Sequence, residues 1–526
     1  MCAASPSKST GREVELVATL TAGPELEAAP RALLERVAIL EVRADRAGDL
    51  DPDWLRQRFP GRLLYTLRSR GEGGLFRGDA AERRRRLQAA AAAYDLVDLE
   101  ADRDLGEATL ALVPPAKRLL SWHGGPATHR QLGERLAALD EVEATYRKLV
   151  SGAQRHGQEL PPLHLLAEAD RGDVTAFALG EVGGWTRLFA NILGAPLLYG
   201  SLAETPAAPG QPSILRLATD FGLPDLPPIQ AIFGIAGRPV SHSLSPRIHN
   251  AAYRSLGLPH LYLPFHAEPF GDFWLETVES DLWEDTGIEL RGLSVTAPWK
   301  EAALAVAGAS SPRAQAIGGA NTLRLRRGVW EGESTDPEGV RLPLEWRGVD
   351  LAKQTRVAVV GAGGAGAAAA FGLARAGAAV TLFNRGEERG RRVAERLHVP
   401  FEPLERLDPA AFQVLVHATP LGREPEESPP FDAALTRPDA IVVEMVYAGF
   451  ETALERQARE ADRALVTGRE VLLAQAIAQF RLLTDAELPI DQSARLLDVD
   501  LPAATLAAIS GAPPEAGAPA AREGRS

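Results

Sequence analysis

The sequence predicts an α/β protein: an N-terminal (β/α)8 barrel followed by a second α/β region that contains a Rossmann-type unit. Between residues 14 and 202, eight short apolar runs alternate with helical stretches, which is the pattern of such a barrel. The proline-rich residues 221–230 follow neither periodicity and indicate a linker. From Val357 to Arg389, an apolar strand, a glycine-rich turn, a small-residue helix and a second strand follow one another, which is typical of a doubly wound sheet.

Length and composition limit the classes of protein that need to be considered. A chain of 526 residues is too long for one core and predicts two or three domains, and 45% hydrophobic with 24% charged residues is typical of globular proteins. A net charge of −13 argues against nucleic acid or anionic membranes as partners. With one cysteine, Cys2, we expect no internal disulfide and no cysteine-built metal site, and we predict no bound metal. The first thirteen residues lack an apolar signal segment, so the expected location is cytoplasmic.

The eight runs of the barrel carry polar residues at positions that favour a common site. We place these polar residues near the carboxyl ends of their strands: Glu41, Arg43, Arg68, His123 and Lys148. The carboxyl ends of all eight strands meet at one mouth of a (β/α)8 barrel. A single buried lysine or histidine is usually structural, whereas several at equivalent positions indicate a catalytic or binding site.

The glycine-rich turn predicts a dinucleotide site. Gly361, Gly363, Gly364 and Gly366, with Ala362 and Ala365 between them, lie between the apolar strand and the helix. This context allows a tight turn, close approach of the backbone to a pyrophosphate, and a helix N-terminus directed at the anion. The next strand ends at Asn384 and Arg385, with Arg389 four residues on. Arginine there suits the 2′-phosphate of NADP better than the ribose hydroxyl of NAD.

The region between the linker and the glycine turn contains further polar motifs. Ser243 and Ser245 precede a predicted helix, where they suit a polyol or carboxylate ligand, or simply cap the helix. Thr296 and Lys300 follow a strand, and Asn321 and Asp336 come later in the chain. A ketone reduction needs a hydride donor on one face of the carbonyl and a proton source near its oxygen, which Lys300 and Asp336 can provide.

The order of seven motifs, SxSLSP, SVTxPxK, GANT, STDxxG, GAGGAG, NR and ATPxG, resembles that of shikimate dehydrogenases, over about residues 231–508. The resemblance implies a substrate subdomain of residues 231–340 and about 470–508, and a Rossmann NADP-binding subdomain of residues 341–469. It implies Lys300 and Asp336 as the catalytic pair and NADP(H) as the cofactor. The implied substrate-binding residues are Ser243, Ser245, Thr296, Asn321, Tyr447 and Gln475. The implied cofactor-binding residues are Gly361, Ala362, Gly363, Gly364, Ala365, Gly366, Asn384, Arg385, Arg389, Thr419 and Gly468.

The chain departs from this family's pattern at four positions. Ser294, Ser334 and His417 stand where asparagine is usual, and Glu444 stands where aspartate is common. Because Lys300 and Asp336 are both present, we expect activity, and the departures leave substrate preference open.

The N-terminal half resembles type I 3-dehydroquinate dehydratases, and we assign that domain to residues 14–220. The motifs are EVRAD, TLRSRGEGG, DLVDLE, SWH, YRKL, GGWTR and APGQ. The resemblance implies that Lys148 forms an imine with the substrate ketone, that His123 moves the proton, and that Glu72 orients His123. The implied substrate-binding residues are Glu41, Arg43, Arg68, Arg187 and Gln211. Arginines at the barrel mouth would lower the pKa of Lys148 and make it nucleophilic. Ala207 replaces a common serine, so we expect one lost hydroxyl contact.

Together the two resemblances imply a bifunctional enzyme that dehydrates 3-dehydroquinate to 3-dehydroshikimate and then reduces 3-dehydroshikimate to shikimate with NADPH. Two alternatives remain: a catabolic dehydrogenase that uses quinate and NAD, and a chain in which one half only senses a ligand. The sequence leaves the oligomeric state open between a monomer and a homodimer. Residues 509–526 are of low complexity and are expected to be disordered.

Overall fold

A computed structural model describes residues 14–425, 427–501 and 505–506, without the side chain of Lys353. The predicted disordered tail at residues 509–526 lies outside the described residues. The chain divides into two compact units, Met1–Ala302 and Ala303–Ser526. The functional boundaries expected near residues 220, 340 and 469 stay predictions. Within the described part of the chain, no helix is both long and apolar enough to cross a membrane.

The first unit begins with an eight-stranded parallel sheet, which confirms the predicted barrel. The strands are β1 (Glu15–Leu20), β2 (Ile39–Arg43), β3 (Arg62–Thr66), β4 (Leu96–Glu100), β5 (Arg118–His123), β6 (Tyr146–Gly152), β7 (Val174–Leu179) and β8 (Leu197–Ser201). Their order is β7-β6-β5-β4-β3-β2-β1-β8, so sequential strands lie side by side and β8 pairs with β1. Between β7 and β8, the Leu197 N–H donates to Thr175 Oγ1 at 3.3 Å.

The helices of the barrel follow from local sequence signals. They are α1 (Gly23–Ala28), α2 (Arg31–Leu34), α3 (Ala44–Ala47), α4 (Pro52–Arg58), α5 (Ala80–Ala93), α6 (Glu107–Leu110), α7 (His129–Asp140), α8 (Pro161–Ala169), α9 (Thr186–Ile192) and α10 (Ile214–Phe221). A capping box of Thr128 and Gln131 starts α7, and the Asp79 side chain caps α5. Gly222, in the left-handed conformation with φ of 76°, ends α10.

The predicted linker has no helix or strand after α10, yet it is packed against the protein. Leu223 and Ile229 are buried, and Arg36 donates to the Leu223 carbonyl oxygen at 2.6 Å. Three parallel strands follow in the order β10-β9-β11: β9 (Ala231–Gly237), β10 (His260–His266) and β11 (Glu289–Val295). Their helices are α11 (Ser245–Ser255), α12 (Phe270–Phe273), a π-helical turn (Trp274–Val278), α13 (Leu282–Thr286) and α14 (Lys300–Val306).

Aromatic side chains explain why the barrel and these strands share one compact unit. Trp185 lies just before α9, and Phe189 lies on α9. Both rings contact Trp283 of α13, and Trp185 also contacts Phe265 of β10. The ring centroids in these pairs are 5.2 to 6.0 Å apart. Buried aromatic rings contribute a large apolar area, so this cluster stabilises the contact between the barrel and the strands that follow it.

The second unit begins with short strands and then forms a doubly wound sheet. Its first elements are β12 (Ala309–Ser310), α15 (Pro312–Ile317), β13 (Thr322–Arg326), β14 (Val329–Glu333) and α16 (Asp336–Trp346); β14 pairs with β13 antiparallel and with β12 parallel. The six parallel strands of the main sheet are β15 (Arg356–Val360), β16 (Ala379–Asn384), β17 (Phe401–Pro403), β18 (Val414–His417), β19 (Ile441–Glu444) and β20 (Ala464–Val466), in the order β17-β16-β15-β18-β19-β20. The accompanying helices are α17 (Gly364–Arg375), α18 (Glu387–Leu397), α19 (Ala453–Glu460), α20 (Gly468–Thr484) and α21 (Ile490–Leu496).

This sheet confirms the predicted Rossmann topology and determines where a ligand can bind. The chain runs from β15 to β16 and β17 on one side, then returns to β18, β19 and β20 on the other. Ligands of such sheets bind at the carboxyl ends of the strands where the order reverses, here between β15 and β18. Val357, Val359, Val414 and Val416 are fully or almost fully buried and hold these two strands in place.

Candidate active sites

Lys148 lies inside the barrel and is buried. It is the third of the seven residues of β6, so the expectation that it lies near the end of its strand is wrong. Its Nζ lies 4.0 Å from Glu41 Oε1 on β2 and 3.9 Å from the ring centroid of Tyr199 on β8. Strand β6 therefore directs Lys148 into the interior of the barrel, where side chains from opposite strands meet.

The surroundings of Lys148 favour its neutral, nucleophilic form. Burial lowers the pKa of Lys148 to about 8, and the guanidinium groups of Arg68 and Arg43 act in the same direction, although Glu41 opposes them. The neutral amine is the nucleophile, so a lysine with this pKa is reactive near neutral pH. A buried lysine with a lowered pKa is what imine chemistry requires.

His123 and Glu72 form a second feature of the barrel interior. His123 is the last residue of β5, and its Nδ1 lies 3.0 Å from Glu72 Oε2. Burial and the positive charges of Arg68 and Lys148 hold the pKa of His123 well below its usual value. Burial also raises the pKa of Glu72 to about 8, despite the opposing charge of Arg68. The arrangement is that of a neutral imidazole base oriented by an adjacent carboxyl group.

Arg68 connects this pair to a buried acidic network. It donates to Glu72 at 2.8 Å, to Ser121 Oγ at 2.9 Å and to Asp98 at 2.6 Å. Burial alone would lower the pKa of Arg68, but Asp98, Glu72 and Glu100 raise it. Arg68 therefore holds Glu72 in place through a permanent positive charge, in addition to any contact with substrate.

Arg187 is suited to bind an anion. It lies on α9, is buried, and its guanidinium group stacks over the ring of Phe177 at 4.3 Å. Among the described residues, its Nε and Nη2 have no hydrogen-bond partner. Burial lowers the pKa of Arg187 to about 9. A buried arginine without a partner is costly, and a bound carboxylate would satisfy it.

The remaining predicted barrel residues fall into two groups. Gln211 donates to Thr19 Oγ1 at 3.1 Å, and Thr19 in turn donates to Glu41 at 2.8 Å, so Gln211 and Glu41 belong to one network around Lys148. Arg43, half-buried, instead pairs with Asp45 at 2.9 Å. The structure therefore brings Glu41, Gln211 and Lys148 together, whereas Arg43 forms an ion pair with Asp45, two residues further along the chain.

Sequence reasoning missed two residues of the barrel interior, Asp98 and Tyr199. Asp98 accepts hydrogen bonds from Arg68 and from Ser121 Oγ, at 2.6 Å each. Tyr199 places its ring against Lys148 Nζ, and burial raises its pKa well above the usual value, so it stays neutral. A side chain with a polar group in the middle of a largely apolar strand was the available signal in both cases.

The residues predicted for the second active site divide between the two units. In the first unit, Ser243 and Ser245 are buried at the start of α11, and the Ser243 hydroxyl accepts from the Ser245 N–H at 3.2 Å. Thr296 follows β11 and lies against Gly237, where a Cβ atom would come within 2.2 Å of Thr296 Cγ2. Lys300 is the first residue of α14. Strand ends and helix starts thus carry all four side chains.

In the second unit, Asn321 and Asp336 are in direct contact. Asn321 Nδ2 donates to Asp336 Oδ1 at 2.9 Å, and Asn321 Oδ1 accepts from the Thr335 N–H at 2.8 Å. Gln475 of α20 lies beside Gly339 of α16. A Cβ atom added at Gly339 would lie 3.4 Å from the Cβ atom of Gln475. Asp336 is the first residue of α16 and is buried, so Asn321 holds a buried carboxyl group in one orientation.

The glycine turn after β15 has the geometry of a pyrophosphate cradle. Gly361 has a φ of 118°, and a Cβ atom there would lie 2.6 Å from the Ala418 carbonyl oxygen. A Cβ atom at Gly366 would lie 1.9 Å from the Gly361 carbonyl oxygen, so only glycine lets α17 pack on the turn. Gly363, the N-cap of α17, faces open space. Gly364 and Ala365 begin the helix, whose N-terminus favours an anion.

Asn384, Arg385 and Arg389 surround the same turn. Asn384 Oδ1 accepts from the Ala362 N–H at 3.1 Å, and Arg389 Nε donates to the Ala362 carbonyl oxygen at 3.0 Å. Arg385 follows β16 and is exposed. Glu387 pairs with Arg391 at 2.7 Å on the surface of α18. Arg389 thus already supports the turn, and Arg385 is the exposed cation beside it.

Three further predicted residues lie near the ends of neighbouring strands: Thr419 and Gly468, predicted to bind the cofactor, and Tyr447, predicted to bind substrate. Thr419 follows β18. If residue 361 had a side chain, its Cβ atom would lie 3.2 Å from Thr419 Cγ2. Tyr447 follows β19, and a Cβ atom on Gly468 would lie 2.8 Å from the Tyr447 nitrogen. Gly468 therefore allows the start of α20 to approach the loop after β19.

The departures from the family pattern are all buried. Ser294 accepts a hydrogen bond from the Tyr262 hydroxyl, and the Ser334 N–H donates to Glu333 at 2.8 Å. His417 and Glu444 contact each other at 3.0 Å. Ala207 is buried in the segment between β8 and α10.

One chain thus joins a barrel that contains a buried lysine to a Rossmann unit, which is the architecture of a bifunctional α/β enzyme. The comparisons with known proteins agree with this class. Residues 20–220 match the type I 3-dehydroquinase family, and residues 235–323 match the shikimate dehydrogenase substrate binding domain. The chain is 30% identical over 481 residues to the chloroplastic bifunctional 3-dehydroquinate dehydratase/shikimate dehydrogenase of Arabidopsis thaliana, covering 86% of this chain and 78% of the relative. The chain belongs to this bifunctional family.

Two further similarities involve the reductase half and the whole chain. The NADP-dependent shikimate dehydrogenase of Halorubrum lacusprofundi is 36% identical over 281 residues, which is 51% of this chain and 99% of that protein. A solved structure contains the dehydroquinate dehydratase and shikimate dehydrogenase of S. pombe. Its sequence is 22% identical to this chain, and the match covers 93% of this chain and 99% of that chain with a TM-score of 0.42.

Proposed function

We propose that this chain dehydrates 3-dehydroquinate to 3-dehydroshikimate in its barrel and reduces 3-dehydroshikimate to shikimate with NADPH in its second half. Lys148, buried with a pKa of about 8 beside the His123–Glu72 pair, is the observation that carries the proposal. Membership of the bifunctional family supports both reactions and their order. A cytoplasmic location stays a prediction.

In the proposed first reaction, neutral Lys148 Nζ attacks the ketone carbon of the substrate. The carbonyl oxygen leaves as water, and a protonated imine forms between Nζ and that carbon. The positive imine acidifies the adjacent carbon, and His123 Nε2 accepts the proton released there. His123 then returns this proton to the departing hydroxyl group, which leaves as water. Hydrolysis of the imine releases the unsaturated ketone and restores the amine. Arg187 holds the substrate carboxylate throughout.

In the proposed second reaction, the protein positions a ketone and supplies a proton. NADPH, when bound at the glycine turn, provides the hydride. We assign Lys300 to donate a proton to the carbonyl oxygen as it becomes a hydroxyl. Asp336, oriented by Asn321 at 2.9 Å, is assigned to accept a hydrogen bond from a hydroxyl group of the substrate. Ser243, Ser245, Thr296 and Gln475 are assigned to the hydroxyl and carboxylate groups of the substrate.

One experiment tests the overall function. The full chain is supplied with 3-dehydroquinate and NADPH, and the absorbance of the reduced nicotinamide is followed. We expect the absorbance to fall only when both compounds are present. A chain that consumes NADPH with 3-dehydroshikimate but not with 3-dehydroquinate would lack the first activity. Failure with both ketones would contradict the reductase assignment.

The pKa of Lys148 gives a pH prediction for the first reaction. Only the unprotonated amine attacks the ketone, so the rate of imine formation should rise with pH and level off above about pH 8. At pH 7 about a tenth of the amine is free, compared with less than about a thousandth for an ordinary lysine. The measurement is the initial rate of borohydride trapping with substrate between pH 6 and pH 10. A midpoint near pH 10 would contradict the lowered pKa.

Arg385 gives a prediction about cofactor choice. Replacing Arg385 with alanine removes an exposed cation next to the glycine turn, so the KM for NADPH should rise about tenfold or more. The KM for NADH should change less than about twofold, because NADH has no 2′-phosphate. Arg392→Ala is the matched control, since Arg392 lies on α18 beside Glu388 at 3.9 Å. Equal effects on NADPH and NADH would argue against the phosphate contact.

A further inference from the structure

Two of the departures from the family pattern form one buried hydrogen-bonded cluster with Thr419. His417 is the last residue of β18 and Glu444 the last residue of β19, and the parallel pairing places them side by side. Both side chains are 0% exposed. His417 Nδ1 lies 3.0 Å from Glu444 Oε1, and His417 Nε2 lies 2.6 Å from Thr419 Oγ1. The imidazole therefore bridges a carboxylate and a hydroxyl group.

The direction of the hydrogen bonds in this cluster follows from the groups around Glu444. Its carboxylate accepts from the Val446 N–H at 2.8 Å and from Thr452 Oγ1 at 3.2 Å. Because a carboxylate can only accept, Nδ1 of His417 must carry a hydrogen and donate it to Glu444. With a neutral imidazole, Nε2 is the acceptor and the Thr419 hydroxyl donates its hydrogen to Nε2, whereas an imidazolium would donate from Nε2 to Thr419.

This donation leaves the Thr419 oxygen with acceptor capacity alone. A threonine hydroxyl has one hydrogen and two lone pairs. Its hydrogen is directed at Nε2 of His417, and one lone pair accepts from the Leu421 N–H at 3.3 Å. One lone pair of Thr419 Oγ1 remains for a ligand, and a ligand atom that meets it must be a donor.

Thr419 lies where the nicotinamide half of a dinucleotide is expected. Thr419 packs on the glycine turn, because a Cβ atom on Gly361 would meet its Cγ2 at 3.2 Å. Asn384 and Arg385 follow β16 on one side of β15, and Thr419 follows β18 on the other. In this topology the ribose phosphate of the adenosine half lies at the end of the second strand, so the nicotinamide half extends toward β18.

We propose that Glu444 and a neutral His417 are positioning residues for the reductase reaction, which direct the Thr419 hydroxyl so that its oxygen accepts a hydrogen bond from the nicotinamide half of NADPH. The inference rests on the proposed function of the second half. The donors of that half are the carboxamide and the ribose hydroxyls.

Three variants of the full chain test the proposal, and Thr419→Ser serves as a control. Asparagine at position 417 (His417→Asn) places an amide donor near the position of Nδ1 and so keeps a partner for Glu444, but it has no atom at the position of Nε2. Thr419→Val removes the hydroxyl and keeps the shape of the side chain. The third variant combines the two. Each is measured for the KM and kcat with NADPH, and for NADPH binding by the fluorescence of the reduced nicotinamide. The dehydratase rate of the barrel shows whether the first half remains folded, and the melting temperature reports on the whole chain.

The expected pattern is specific to a residue that acts through Thr419. His417→Asn and Thr419→Val should each raise the KM for NADPH about three- to tenfold, the usual effect of one hydrogen bond. The double variant should equal Thr419→Val within about twofold, because His417 then has nothing left to orient. Thr419→Ser should restore near-normal KM. The proposal is wrong if His417→Asn leaves the KM for NADPH unchanged. It is also wrong if His417→Asn weakens NADPH binding as much in the Thr419→Val chain as in the unaltered chain. If the unaltered chain does not oxidise NADPH with 3-dehydroshikimate, the proposed function fails first, and NADPH binding alone still tests the cluster.

Discussion

Replacing Lys148 with alanine should reduce the dehydratase rate by about 10⁴-fold or more, because the variant has no amine to form the imine. Borohydride added with substrate should give a mass increase on the unaltered chain and none on the variant. The adduct should map to the peptide that contains β6. The measurements are the formation of the unsaturated ketone by absorbance and the intact mass of the protein.

The controls for Lys148 separate lost chemistry from lost structure. Lys148→Arg keeps a cation near the ring of Tyr199 and near Glu41, yet arginine cannot form the imine, so it should be as inactive as alanine. Reduction of 3-dehydroshikimate, which depends on the second half, should continue at the normal rate in both variants. A covalent adduct on either variant, or dehydration at the normal rate, would refute the imine mechanism.

Replacing Lys300 with alanine should reduce the reductase kcat by about 10²- to 10⁴-fold, the usual range for loss of a general acid. The dissociation constant for NADPH should change by less than about twofold, because Lys300 is assigned to the carbonyl oxygen of the substrate and not to the cofactor. The measurements are the steady-state rate with 3-dehydroshikimate and the fluorescence titration of NADPH.

The neighbouring residue offers a matched control for Lys300. Glu301 is the second residue of α14 and is exposed, so Glu301→Ala tests whether any change at the start of this helix slows the reaction. We expect it to keep the reductase rate within about twofold. If Lys300→Ala reduces 3-dehydroshikimate at the normal rate, Lys300 is not the proton donor of this reaction. An equally large loss of NADPH binding would indicate damage to the second half instead of a missing proton donor.

A catabolic quinate dehydrogenase and a chain with one ligand-sensing half would each give different results in these assays. A catabolic enzyme that prefers quinate and NAD would show little dependence on Arg385. A half that only senses its ligand would bind substrate without turnover, and Lys148→Ala would then change no rate. The presence of Lys148, His123, Lys300 and Asp336 argues against such a sensor, and membership of the bifunctional family favours the two-step enzyme.

The sequence by itself determined the fold class, the family and the glycine turn, because these depend on local patterns. Eight apolar runs with helices between them produce the barrel, and the spacing of Gly361, Gly363 and Gly366 specifies a tight turn before a helix. Motif order identified both halves, because each motif is short and contiguous. It also pointed to Lys148 and His123, which are polar residues in apolar strands.

Only the tertiary structure decided how these residues are tuned and held. The lowered pKa of Lys148 results from burial among side chains of other strands, such as Glu41 and Tyr199, which lie far away in sequence. His417 and Glu444 are 27 residues apart, and only the register of β18 and β19 brings them together. Desolvation and hydrogen-bond direction depend on which groups meet in space, and no local pattern records that.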